Sequence, residues 1–445
     1  MIAAAIGLFV LQWGPAHASQ SVHEQHARVQ PRAAFPRPPS PSTGRPDITV
    51  YGYLPYWASD PLSVDLDSLS HVAWFSVDAE ADGSLAGADG WTAIADDLVD
   101  AAHRVGTKVH LCVSLFDPIK QDALLNDSAA RSRAVTALAG LVNAHGADGV
   151  NIDFEGMNPS SKDGLVRFTS ELKAAVDEVF LALPAIDWSG AYDYDELAAA
   201  SDGLFVMAYD YHWRGGDPGP VAPLTGGDPW SSYAIDWTLN DYRTWGATDD
   251  KLIVGLPLYG YAWPTDNDAI PGFATGTAEA HSLASIVDDR PLVDERYDIV
   301  TDTPWAWDGT TQLWFDDADS LEIKLSWAVA EGVQGVGFWA LGYAGGDPDF
   351  WTMVDGISGA RAPGPEDTGT AEAKDTAAPT DADTGITERA DTGTAADSGR
   401  SIRSPSSDGT DARRPKAGCG CHSAGLAVSG WWAMAGLFAA RRRQN

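Results

Sequence analysis

The chain has 445 residues, 44% of them hydrophobic, which is enough for a sizeable core and for an α/β barrel with length to spare. Its 29 Lys and Arg face 63 Asp and Glu, and the formal charge of -34 repels a phosphate backbone, so nucleic acid is excluded as an expected partner. There are three cysteines, with Cys112 alone in the globular stretch, so no disulfide framework is available there.

At the amino end, Ile2 to Trp13 is apolar and is followed by Ala16-His17-Ala18, a small-x-small pattern that predicts a secretion signal over residues 1–18. Residues 19–46 are rich in Pro, Ser, Arg and His and read as a disordered linker. Strand-like apolar runs then recur across residues 47–359: Val50 to Trp57, His71 to Val77, Lys108 to Leu115, Gly149 to Glu155, Phe180 to Trp188, Gly203 to Tyr211, Lys251 to Trp263 and Gly335 to Leu341. Most are trailed by helix-like segments, such as the amphipathic Ala134 to Val142. Nearly continuous hydrophobicity marks parallel strands covered by helices, so eight such units predict an α/β fold of the (β/α)8, or TIM-barrel, type. The alternative, an open doubly wound sheet, lacks its glycine-rich phosphate loop here. Between strands seven and eight, residues 264–332 are too many for a simple loop. Alternating patches at Arg296 to Val300 and Gln312 to Phe315 predict a small α+β insertion forming one wall of a cleft.

Beyond the barrel, Asp-Thr-Gly or Asp-Ser-Gly recurs at Asp367, Asp383, Asp391 and Asp397, predicting an acidic low-complexity stalk over residues 360–417. These aspartates lack the regular loop that a calcium site requires. The last stretch, residues 418–445, holds Cys419-Gly420-Cys421, an apolar run from Ala424 to Ala440 and Arg441-Arg442-Arg443. That run is a marginal membrane span. The segment resembles the carboxyl-terminal sorting signal of myxobacterial exported proteins, which implies processing near Cys419 or Cys421 and attachment to an outer membrane or cell surface.

The segment Asp148-Gly149-Val150-Asn151-Ile152-Asp153-Phe154-Glu155 carries the chemistry. Alternate residues of a strand face the same way, so Asn151, Asp153 and Glu155 point together into a cavity while Val150, Ile152 and Phe154 enter apolar packing. Carboxylates at the carboxyl end of a barrel strand lie where such folds keep their active sites. Trp57, Trp188, Trp213, Trp263 and Trp339 fall at or just beyond strand ends, and aromatic faces converging on one rim suit a saccharide.

These residues resemble glycoside hydrolase family 18, the chitinase family, whose signature is Asp-Gly-x-Asp-x-Asp-x-Glu on strand four. Gly52-Tyr53, Met207-Ala208-Tyr209-Asp210, Gly255-Leu256-Pro257-Leu258-Tyr259-Gly260 and Trp339 match further motifs in the same order. The resemblance implies substrate-assisted retaining hydrolysis of a glycan containing N-acetylglucosamine, with the substrate's own N-acetyl oxygen as nucleophile and neither metal nor cofactor. It implies Glu155 as general acid, Asp153 orienting the acetamido N–H, and Tyr209 holding its carbonyl. Asp210 then contacts the sugar, Trp339 floors the pocket, Tyr53 lines its base, and Asp148 and Met207 shape strand ends. The expected substrate-binding set is Tyr53, Asn151, Met207, Asp210, Trp213, Trp263 and Trp339.

Two positions depart from the family pattern. Asn151 stands where many members carry aspartate, and Cys112-Val113-Ser114-Leu115 replaces Ser-x-Gly-Gly on strand three. Trp314-Phe315-Asp316-Asp317, Ser320-Leu321 and Lys324 look like the subgroup of spore-cortex glucosaminidases, which keeps peptidoglycan beside chitin as the expected substrate. A lectin on a dead chitinase scaffold normally lacks the acid, whereas Glu155 is present.

Overall fold

A computed structural model describes residues 48–57, 61–289 and 294–358. The expected signal, linker, stalk and terminal sorting segment lie outside the described residues. Among the described residues, no helix is long and apolar enough to cross a membrane.

The chain forms β1 (Thr49–Pro55), β2 (His71–Ala79), the short β3 (Leu85–Ala86), β4 (Lys108–Leu115), β5 (Gly149–Phe154), β6 (Glu178–Pro184), β7 (Gly203–Met207), β8 (Leu252–Pro257) and β9 (Tyr259–Pro264). It continues through β10 (Glu279–Ser282), β11 (Glu295–Asp298), β12 (Thr303–Trp307), β13 (Thr311–Trp314) and β14 (Gly335–Trp339). Strands β1, β2, β4, β5, β6, β7, β8 and β14 pair in parallel, and the β1–β2 and β1–β14 ladders close the ring. This is the expected (β/α)8 barrel. Strand β3 folds back antiparallel on the end of β2.

Local sequence explains the outer helices. Ala88–Val105 buries Trp91, Ala95, Leu98, Val99 and Ala102, one helical face, and ends at Gly106, whose φ of 78° provides the left-handed cap that a glycine adopts without steric cost. Ser128–His145 starts from Asp127, whose carboxylate accepts the Ala129 N–H at 2.9 Å, and buries Ala130, Ala134, Leu138 and Val142 four residues apart. Inside the barrel, Phe205 fills the space above two glycines. A Cβ on Gly255 would come within 2.3 Å of its ring, and one on Gly337 within 2.4 Å of the Tyr51 carbonyl oxygen.

Three strands stop four or more residues short of the expectation. Strand β6 stops at Pro184, and Trp188 lies in the following loop, where the Asp187 carboxylate collects the N–H groups of Ser189, Gly190, Ala191 and Tyr192. Strand β7 stops at Met207, because the Tyr209 N–H turns back to the Met207 carbonyl at 2.8 Å and Asp210 takes φ 61°. The run Lys251 to Trp263 breaks at Leu258, whose N–H bonds the Trp339 carbonyl at 2.7 Å. Its second half, β9, leaves the barrel and joins an antiparallel sheet of order β10-β9-β13-β12-β11.

That sheet leads into Ala318–Ala330, the helix returning to β14, through a buried ion pair. Asp316 and Lys324 are both fully enclosed, and Asp316 also accepts the Ser320 hydroxyl at 2.8 Å. Burial pushes the Asp316 carboxyl up, and the Lys324 ammonium and Ser320 hydroxyl pull it partly back. Asp317 and Ser320 add a reciprocal cap at the helix start.

At the opposite, amino-terminal end of the strands the interior is closed by polar groups. His71 and His110 each place Nε2 3.1 Å from one Glu178 oxygen, Lys108 binds the other oxygen, and Ser70 and Tyr51 hold the two Nδ1 atoms. Burial drives the His71 imidazole down to about 4, so it is neutral at pH 7. Burial alone would raise the Glu178 carboxyl, and the bonds from His110, His71 and Lys108 outweigh it and hold it well below the usual range.

The ion pair beneath the second sheet yields a prediction. Lys324→Met strands Asp316 in the interior and is expected to cost about 3–5 kcal/mol in urea unfolding. The double variant Asp316→Leu/Lys324→Met is expected to recover most of that loss. Equal stability of the single variant and the unaltered protein would show that the pair is not anchoring the wall.

Candidate active site

Strand β5 presents its polar row to the barrel interior. Register pairs Cys112 of β4 with Asn151 and Phe180 of β6 at one level, and Ser114 with Asp153 and Ala182 at the next. Glu155 stands one residue beyond the strand's end, half-buried, while Asp153 is 1% exposed. Three groups fix the backbone there. The Glu155 N–H donates to the Leu115 carbonyl at 3.3 Å, the buried Gln121 amide donates to both the Leu115 and Glu155 carbonyls at 2.5 and 2.7 Å, and the Tyr192 hydroxyl donates to the Phe154 carbonyl at 2.7 Å. The direction in which Glu155 leaves the strand is therefore set by the scaffold.

Tyr209 closes the site from β7. Burial raises its phenol well above the ordinary range, and the nearby charges of Asp153, Glu155 and Asp210 raise it further, so the hydroxyl keeps its proton and is a donor. Asp210 follows in the left-handed region, which aspartate tolerates better than most residues, and accepts the hydroxyls of Tyr259 at 2.6 Å and Tyr261 at 3.4 Å. Those two tyrosines share one face of β9, so the sheet beside the barrel orients this carboxylate.

The floor is aromatic. The Trp339 ring lies 4.8 Å from Phe75, 5.6 Å from Tyr53 and 6.2 Å from Trp57, and the Phe75–Ser76 and Trp339–Ala340 peptides are both cis. The Tyr53 hydroxyl donates to Asn151 Oδ1 at 3.1 Å, and the Cys112 thiol approaches the same oxygen at 3.4 Å. Burial, then the charges of Asp153, Asp78 and Glu155, pushes the Cys112 thiol up and keeps it protonated. Two donors on Oδ1 set the orientation of the amide, whose buried Nδ2 has no hydrogen-bond partner among the described residues.

Residues 49–344 match the profile described as Glycosyl hydrolases family 18. The chain belongs to glycosyl hydrolase family 18, and its barrel has the fold of family 18 chitinases. Among curated proteins it is similar to the putative sporulation-specific glycosylase YdhD of Bacillus subtilis (strain 168), 29% identical over 252 residues, which are 52% of this chain and 55% of that protein. The cortical fragment-lytic enzyme of the same organism is 24% identical over 250 residues, 52% of this chain and 54% of that protein. Chitinase C of Streptomyces lividans is 27% identical over 227 residues, 46% and 37% respectively. The chain thus spans about half the length, or less, of these relatives. The fold is shared with a family 18 chitinase from Cycas revoluta in complex with (GlcNAc)3, at TM-score 0.64 and 21% identity over 70% of this chain and 100% of that one. It is shared equally with the chitinase-like agglutinin RobpsCRA from Robinia pseudoacacia, at TM-score 0.63 and 18% identity over 69% and 99%.

Of the residues expected from sequence, the structure brings together Tyr53, Asn151, Asp153, Glu155, Tyr209, Asp210 and Trp339. Met207 sits buried at the end of β7, and Asp148 lies at the other end of β5, where its carboxylate accepts the Val109 N–H at 2.7 Å and meets His103 Nε2 at 2.8 Å. Trp213 and Trp188, 47% and 68% exposed, line a cavity of about 310 Å³ together with Tyr209 and Asp210. Trp263 is a correction. It is 0% exposed, because the break at Leu258 carries it into the second sheet, where it packs 5.4 Å from Tyr261 and presents no face to a sugar. Gln121 and Tyr192 went unnoticed in the sequence, and Ser114 stood out only as part of the run that replaces Ser-x-Gly-Gly. Ser114 donates to Asp78 at 2.9 Å and meets Ser76 at 2.8 Å. The spacing of Tyr259 and Tyr261 on one strand face was a readable signal, whereas Gln121 sits in a helix with no marker of its role.

Among the described residues, one group could hold a metal ion, namely His71, His110 and Glu178, whose ligand atoms lie within 4.8 Å of one another. It belongs to the closed end of the barrel, and Tyr51, Ser70 and Lys108 complete its hydrogen bonds.

Position 151 can be tested by titration. In Asn151→Asp a second carboxylate shares the interior with Asp153, and like charges raise the pKa of one member of such a pair. The acid limb of the kcat/KM profile is expected to move to higher pH by on the order of one unit. An unchanged profile would remove position 151 from the titrating machinery.

Proposed function

We propose that this chain is a retaining glycosidase cleaving β-1,4-linked N-acetylglucosamine glycans, chitin or chitooligosaccharides, with assistance from the substrate's acetamido group. The observation that carries this reading is the row Asn151, Asp153, Glu155 facing a proton-bearing Tyr209 and the tyrosine-bound Asp210. Glu155, at the half-buried strand end, protonates the glycosidic oxygen. Asp153 lies deeper, accepts the acetamido N–H and stabilises the positive charge that develops as the carbonyl oxygen attacks the anomeric carbon. Tyr209 donates to that carbonyl oxygen, and its retained proton suits this role. Trp339, buried against Phe75, Tyr53 and Trp57, supports the pocket from beneath. Water then opens the cyclic intermediate, with Glu155 as base, and the two displacements return the original anomeric configuration.

A second reading, a peptidoglycan N-acetylglucosaminidase, is favoured by the similarity to the sporulation-specific glycosylase and the cortical fragment-lytic enzyme of Bacillus subtilis. A lectin role draws only on the fold shared with the Robinia agglutinin, and the presence of Glu155 opposes it. We further propose export and surface attachment, supported by the apolar start ending at Ala18 and by the Cys-Gly-Cys, apolar and Arg-rich terminus.

Glu155→Gln keeps the shape and removes the proton. It is expected to lower reducing-end release from chitooligosaccharides by about a hundred- to ten-thousand-fold while leaving their binding within a few-fold. An unaltered protein that binds these oligosaccharides and cleaves neither them nor purified peptidoglycan would make it a lectin. Faster digestion of peptidoglycan than of chitin would select the second reading.

A further inference from the structure

The cavity beside Tyr209 and Asp210 does not end the aromatic surface. Trp188 on its rim stands edge-to-face with Tyr233 at 5.1 Å, and Tyr233 with Trp237 at 4.7 Å. Trp237 lines a second, larger cavity of about 580 Å³, together with Trp230, Ser232, Asp236, Asn240 and Thr244. Ser231 and Tyr233 line the first cavity and Ser232 the second, so a strap one residue thick separates them. Both volumes fall in the range of about 300–1,000 Å³ typical of small-ligand sites.

The two cavities are held to one frame. The helix Ile235–Thr244, which carries Trp237, Asn240 and Thr244, is bonded to the end of β6 through Thr238 Oγ1 to the Ala185 carbonyl at 3.0 Å and the Tyr242 hydroxyl to the Pro184 carbonyl at 2.6 Å. Tyr211, in the wall of the first cavity, meets the same Thr238 hydroxyl at 2.6 Å. Pro184 and Ala185 also line the first cavity, so the distance between the two is set by the backbone end of one barrel strand. The walls of the second combine two indole rings with the side chains of Asp228, Asp236 and Asp241 and with hydroxyl and amide groups. Aromatic faces with hydrogen-bonding edges suit a sugar, and the carboxylates disfavour an anionic polymer.

We propose that the second cavity is a remote saccharide-binding site, which takes a further unit of the same neutral N-acetylglucosamine chain whose other end lies against Tyr209 and Asp210. This rests on the glycosidase reading above and deepens it, because a site reached only by long chains makes the enzyme discriminate by polymer length. A neutral chain passing over Tyr233 keeps contact with aromatic surface throughout, whereas a strand carrying acidic peptides meets three aspartates at the far end.

The experiment compares kcat/KM on chitotriose and on chitooctaose for the unaltered full chain, Trp237→Ala and Asn240→Ala. Trp237→Ala is expected to lose about tenfold on the octamer and nothing on the trimer, with Asn240→Ala losing several-fold in the same pattern. Asn240 is exposed on the helix, so its variant reports even if Trp237→Ala folds poorly. Equal losses on both oligomers, or none on either, would overturn the proposal. If the unaltered protein cleaves neither oligomer, the chitin-cleaving reading fails separately. The cavity is then judged from octamer Kd, where a roughly tenfold weakening by Trp237→Ala upholds it and an unchanged Kd overturns it.

Discussion

The strand period of two, imposed on β5 inside a closed barrel, is the constraint from which the rest follows. A strand of a parallel barrel is packed on both faces, and ionisable groups are expensive there. Asn151 and Asp153 nevertheless face the interior because Val150, Ile152 and Phe154 take the outward positions against the helices, all of them buried. A slip of one residue would exchange the two sets, and the alternating apolar row is what prevents it. Within the inward row, Asn151 is held by two donors that keep their protons, the buried Tyr53 and Cys112.

The two ends of the barrel divide the work. At the closed end, His71, His110, Glu178, Lys108, Ser70 and Tyr51 satisfy one another, a network whose chief effect is to fill the interior. At the open end the polar groups are oriented from outside the barrel. Gln121 and Tyr192 hold the end of β5, and Tyr259 and Tyr261 hold Asp210. The second sheet thus contributes more than a wall, since its first strand fixes the carboxylate that follows Tyr209.

Much of this was legible in the sequence. The eight apolar runs announced the barrel because continuous hydrophobicity is what two-sided burial requires, and the Asn-x-Asp-x-Glu alternation announced which strand turns a polar row into the interior. Strand ends were less legible, for an apolar run continues through a change of sheet. Lys251 to Trp263 reads as one element, yet the chain turns at Leu258, and that turn buries Trp263 instead of exposing it. Gln121 acts on the backbone of a residue 34 positions away, a relation only the fold creates. Asp316, Ser320 and Lys324 were read as markers of a substrate subgroup, and the structure shows them as the buried anchor of the second sheet, so they speak to architecture before substrate.

The account is tested most directly by the anomeric configuration of the first product, followed by proton NMR during the opening minutes of chitooligosaccharide hydrolysis, before mutarotation mixes the forms. Assistance by the acetamido oxygen under Asp153, with Glu155 as the acid, predicts the β-anomer at the newly formed reducing end. An initial α-anomer would mean direct attack by water and would contradict the roles given to both carboxylates.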